Sequence, residues 1–254
     1  MSKNFTTLME RPEINNSIAA LVYQVVAYFS IPFLLLLLLQ GGQSGIREVA
    51  SGIELAYHVF NFFVALFIYR EYLTDTFSDI RFHYKKLLKA SMESIELILL
   101  IALALYFTFG IAGGGASLLG FGALPLVEVD LFILPCDILP VYPLIGSLCL
   151  VFLAPVAISC LFYGSVFAPI CYTRPVLAYI AMAAFLAFPR FCNASTYWDP
   201  ATEWTLYFLQ LPIHLLACRS YQKSDSIWAP ILTLSLVNGI ACILLFVGHA
   251  LGFV

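Results

Sequence analysis

Apolar residues in this chain fall in long uninterrupted runs, not in the alternation of a half-buried strand or the three-and-four spacing of a surface helix. A hydrocarbon layer about 30 Å thick is crossed by roughly 20 mainly apolar residues at 1.5 Å per residue, and the runs have that scale. They predict helices over about Ile18–Leu39, Val49–Tyr69, Ser94–Ile111, Leu144–Phe167, Val176–Phe188, Glu203–Cys218 and Ile227–Leu251, the fifth and sixth being short. Residues 112–142 are also apolar, but Gly120, Gly122, Pro125, Glu128, Asp130, Pro135 and Asp137 interrupt them. A full span there would bury three carboxylates, so an outward-facing re-entrant or interfacial segment is expected. The fold expected is all-α: a polytopic integral-membrane helical bundle of seven spans, or eight if 112–142 crosses, forming one domain over 1–254.

Charge sets the orientation, because Lys and Arg collect in cytoplasmic connections. With the N-terminus inside, Lys3, Arg11, Arg70, Arg81, Lys85, Lys86, Lys89, Arg174, Arg219 and Lys223 all face the cytoplasm, which is ten of the 12 basic residues. Arg47 and Arg190 alone fall outside, and the acidic 112–142 connection faces outward. The expected topology is N-in, C-out. Arg70–Lys89 is expected to be the longest polar connection and the main topology determinant.

Composition narrows the classes further. The 254 residues are 62% hydrophobic and 11% charged, with a net charge of −3, against roughly 25% charged in an average soluble domain. So few ionisable groups cannot cover a water-soluble globule, so a soluble domain, a disordered chain and a nucleic-acid binder are excluded. The lipid bilayer is the first partner, and an integral multi-pass protein of a bacterial plasma membrane is expected. The first apolar run is too long for a signal h-region, and Gln40-Gly41-Gly42-Gln43 lacks a small-x-small cleavage pattern. Seven cysteines show no metal or redox spacing. Cys136 and Cys192, both outside, could pair, and no metal or cofactor is expected.

The last hundred residues carry a resemblance. Ala154-Pro155-Val156-Ala157-Ile158-Ser159-Cys160-Leu161-Phe162-Tyr163-Gly164 is similar to a core motif of the CPBP family, the CAAX-protease and bacteriocin-processing (Abi) intramembrane proteins. The family pattern is Ala-Pro-x-x-Glu-Glu-x-x-x-Arg-Gly. Ala154, Pro155, Gly164 and, as the aromatic often found before the arginine, Phe162 fit it, while the glutamates fall on Ile158 and Ser159 and the arginine on Tyr163. The family's Phe-x-x-x-His resembles Phe185–Pro189, with Pro189 in the histidine's place. Ser226–Leu232 is similar to the entry of its last conserved helix. The following His-x-x-x-Asn reads Leu234-Ser235-Leu236-Val237-Asn238, so only Asn238 remains.

The resemblance covers 143–245. It implies an intramembrane site in which glutamates and histidines activate water for peptide hydrolysis. That chemistry needs a base beside the attacking water and a stabiliser for the oxyanion. Ile158, Ser159, Tyr163, Pro189, Leu234 and Asn238 offer no such base near neutral pH. What the resemblance implies is therefore a degenerate, non-catalytic CPBP-like protein that binds and modulates a membrane-protein or peptide partner. Catalytic residues are expected to be none.

Other polar residues lie within the runs. Glu54 and His58 sit four apart, with Asn61 three further on, all toward one helical face. Such a pair could carry protons in a small transporter, or lie neutralised against the bundle interior. His214 follows Pro212 and is expected to be a hydrogen-bonded core histidine. An intramembrane peptidase using substituted residues (Ser159, His214 or Asn238) is the enzyme alternative.

Overall fold

The structure, a computed structural model, describes residues 13–39, 46–118, 141–196 and 200–250. The described residues are helical: α1 Ile14–Leu39, α2 Ile46–Leu118, α3 Pro143–Cys171, α4 Pro175–Thr196, α5 Pro200–Ser224 and α6 Trp228–Ala250. His83, at φ −119° and ψ 18°, breaks α2 into arms 46–82 and 84–118. With the arms counted separately there are seven helical segments, and each overlaps one of the seven apolar runs.

Local chemistry accounts for the ends. α3, α4 and α5 each begin on a proline, Pro143, Pro175 and Pro200, whose fixed φ suits the first helical position and whose missing N–H costs nothing there. α5 ends as Asp225 turns left-handed, φ 56°, its N–H bonding Tyr221 O at 2.7 Å. Asp tolerates that conformation better than most residues with a Cβ.

Arg70–Lys89 is not an extended connection. It is helical on both sides of His83, having no glycine or proline to break it and being rich in good helix formers. Thr76 on one arm accepts from Trp228 Nε1 at 3.2 Å, and Ser91 on the other donates to Ala229 O at 3.0 Å. An unbroken helix would hold residues 76 and 91 roughly 22 Å apart. The break bends both arms toward the start of α6.

Starts of helices meet ends. Ser17, early in α1, bonds Gly164, late in α3. The Tyr69 ring, late in the first arm, lies against that same glycine. Tyr179, early in α4, donates to Gln222, late in α5, at 2.9 Å. α1 therefore runs antiparallel to α3 and α4 antiparallel to α5, while the first arm of α2 runs parallel to α3. The buried core centres on α3, which touches all five other helices.

Among the described residues, Pro143–Cys171 is the one stretch long and apolar enough to cross a membrane; Ile14–Ala27, Pro175–Phe188 and Trp228–Leu244 are apolar and shorter. Large apolar side chains nevertheless face outward on every helix, including Val22, Phe63, Leu100, Phe152, Ile180, Phe208 and Ile243. Residues 119–140, with Cys136 and most of the expected interfacial segment, lie outside the described residues, as does the side chain of Cys192. The five other cysteines are buried thiols.

Candidate functional site

The motif helix α3 departs from ordinary α geometry. Cys149–Leu153 and Ser159–Phe167 are wound as π-helix, and each ends on an i→i−5 bond: Ala154 N–H to Cys149 O, and Ala168 N–H to Tyr163 O. The next residue in each case is a proline, Pro155 and Pro169. A proline inside a helix collides with the carbonyl four residues back and offers no N–H. Widening the turn by one residue relieves the collision and leaves the carbonyl five back without a donor. Those carbonyls are Leu150 O and Gly164 O.

Side chains from other helices supply what the prolines withhold. Asn238 Nδ2 of α6 donates to Leu150 O at 2.8 Å, and Ser17 Oγ of α1 donates to Gly164 O at 3.1 Å. The Ala-Pro step of the motif, repeated as Ala168-Pro169, therefore makes two sockets in α3, one filled by α6 and one by α1. Gly164 gives the second a close approach. A Cβ there would stand 3.2 Å from the Tyr69 ring, which is itself fully buried.

The remaining motif positions are sealed in the same core. Ser159, Tyr163, Leu234 and Asn238 are all 0% exposed, and Ile158 is buried beside them in sequence. Tyr163 OH shares a hydrogen bond with His214 Nδ1 at 2.8 Å, ring edge toward ring face at 72°. Two residues 51 apart, one at the motif's arginine position and one on a helix carrying no motif, thus meet. Leu234 lies one turn from Asn238 on the same face of α6. Ser159 Oγ and Asn238 Oδ1 have no hydrogen-bond partner. α4 continues as helix through Pro189, whose side chain lies outside the described residues.

The second polar group of the sequence, Glu54, His58 and Asn61, is described in part. His58 is buried, its ring 5.4 Å from that of Tyr57. The Glu54 side chain lies outside the described residues. Asn61 ties α1 to α2, its Oδ1 accepting from Tyr23 OH at 2.5 Å.

Ser17, Tyr23 and Gln24 of α1 do not stand out in the sequence as site residues. A signal is nevertheless present: Ser17 and Gln24 interrupt an apolar run seven residues apart, on the face that Ala20 and Ala27 complete. Gln24 is fully buried and neither atom of its amide has a partner.

Charged groups stand apart from this core, at the end where α5 turns into α6. Lys86 pairs with Asp225 at 3.2 Å, and Lys223 pairs with Glu93. The hydrogen bond and charge of Lys223 hold the Glu93 carboxyl below its ordinary range. Glu93 thus engages Lys223 on another helix, although Lys89 is one turn away on its own.

Among the described residues no three His, Cys, Asp or Glu side chains are grouped to hold a metal. At the described motif positions Tyr163 OH and Asn238 Nδ2 close helix–helix contacts, Ser159 Oγ and Asn238 Oδ1 are buried without a partner, and all three side chains are 0% exposed. Comparison with protein-family models, with curated proteins and with solved structures finds no match for this chain.

Proposed function

We propose that the chain is a polytopic membrane protein, N-in and C-out, built on a CPBP-like plan without its catalysis, and that it works by binding and modulating a membrane-protein or peptide partner. The carrying observation is the use made of the motif positions: Asn238 serves a carbonyl that Pro155 leaves vacant, and Tyr163 is tied to His214. A hydrolytic site needs a base within reach of water and substrate. These groups are spent on holding α3 against α5 and α6. Outward-facing apolar side chains on every helix, and basic residues gathered at one end, support the membrane assignment.

The test has two arms. Alkaline carbonate extraction of native membranes should leave the protein in the pellet, and reporters fused at the two termini should fall on opposite sides. Reconstituted protein should not cleave quenched fluorescent transmembrane peptides faster than empty vesicles. Cleavage that disappears in Ser159→Ala or His214→Ala would replace the binding role with an intramembrane peptidase.

A further inference from the structure

The broken region of α2 carries four basic residues in nine, Arg81, Lys85, Lys86 and Lys89, with no acidic residue between them. Lys86 is engaged by Asp225. Lys85 and Lys89 stand one turn apart on the face opposite the buried Leu87, Ala90 and Ser94. Around them, large side chains that would normally be covered lie open: Phe82 is 73% exposed and Phe77 62%.

Cation and ring are paired in this segment. The Arg81 guanidinium lies 6.0 Å from the Phe82 ring centroid, and Lys85 Nζ lies 6.0 Å from that of Tyr84. Aromatic bodies with cationic tips suit the level of lipid headgroups, where one end of each group is apolar and the other wet. The position agrees. The exposed apolar residues Phe63 and Phe67 on one arm and Leu99 and Leu100 on the other lie about sixteen to twenty residues from the break along each helix, roughly 24–30 Å. The basic segment therefore caps two apolar outer faces.

We infer that residues 77–89 form an anionic-lipid site, in which Arg81, Lys85 and Lys89 hold the phosphates of acidic headgroups while Phe77, Phe82 and Tyr84 sit among the glycerol and upper acyl carbons. The occupant is fixed by complementarity: clustered cations at the end of a spanning segment attract acidic lipid, and open aromatic rings add what a soluble anion would not use. This rests on the membrane proposal above and adds a lipid class to it.

Trp228 reports on the site, because its ring lies 5.8 Å from Phe77. Full-length protein with Trp198→Phe and Trp204→Phe leaves it as the single indole. In mixed micelles, brominated phosphatidylglycerol should quench it at lower mole fraction than brominated phosphatidylcholine. The gap should run from about fivefold, if one cation engages one headgroup, to on the order of a hundredfold for three. It should shrink in high salt. Arg81→Gln/Lys85→Gln/Lys89→Gln should abolish the preference at unchanged melting temperature.

Equal quenching by the two lipids, or a preference surviving in the triple variant, overturns the inference. So does protection of Trp228 by polyglutamate without lipid, which would assign the surface to an acidic polypeptide. Release of the protein by carbonate would undo the membrane proposal instead, so the two failures are distinguishable.

Discussion

Replacing Asn238 by Ala removes the donor that reaches Leu150 O at 2.8 Å in a fully buried contact. Leaving a buried carbonyl unpaired costs about 1–3 kcal/mol. Side-chain bonds between helices within membranes average about 0.6 and reach about 1.7 kcal/mol. The expected loss is therefore about 1–2 kcal/mol, or roughly 2–8 °C in melting temperature for a chain near this size. The proline makes a sharper demand, because the carbonyl needs Asn238 only as long as residue 155 has no N–H. Pro155→Ala restores that N–H. In its background Asn238→Ala should cost about 0.5 kcal/mol or less, packing losses being common to both backgrounds and cancelling. A double-mutant cycle by reversible unfolding in detergent should give a coupling near 1 kcal/mol, above the roughly 0.3–0.5 kcal/mol within which unrelated sites add. A coupling of zero, with Asn238→Ala equally costly in both backgrounds, would refute the vacated-carbonyl account whatever the single-mutant values.

Two other outcomes follow from particular contacts. Gly164→Ala should lower the melting temperature, since its Cβ would press a fully buried Tyr69 ring at 3.2 Å, at a cost of about 1–3 kcal/mol; Tyr69→Phe should not relieve it, because ring carbons as well as the hydroxyl are in the way, and relief would show the contact to be misjudged. The Glu93 carboxyl, held below its ordinary 4.5 by Lys223, contributes stability that is present above that value and lost as pH falls through the lowered one. Glu93→Gln should therefore flatten the fall in melting temperature on acidification below about pH 4.5, and an unchanged acid limb would show the pair to be idle.

Among the described residues the helical segments and their order are legible in the sequence, because each of the seven apolar runs is about the length of a membrane span or a little less. The region from Arg70 to Lys89 reads as a loop because of its charge, yet charge says nothing of backbone conformation when Lys, Leu and Arg all favour helix. The two π stretches are not legible as such. Pro155 and Pro169 give notice that two carbonyls want donors, but nothing in a linear pattern points from Leu150 to Asn238 or from Gly164 to Ser17. Tyr163 and His214 each stand out singly, one as a motif position and one as a core histidine. Their meeting is a property of how α3 and α5 pack, which neither residue announces in the linear sequence.

The two sockets in α3 also bear on how the chain is made. Its partner at Gly164, Ser17, leaves the ribosome well before α3 does, whereas its partner at Leu150, Asn238, emerges well after it. A nascent chain that has made α1 to α5 therefore still carries an unanswered carbonyl at its centre, and arrival of α6 completes it. That unmet carbonyl distinguishes a bundle still lacking α6 from one that has it, giving surveillance machinery a chemical difference to act on until α6 docks.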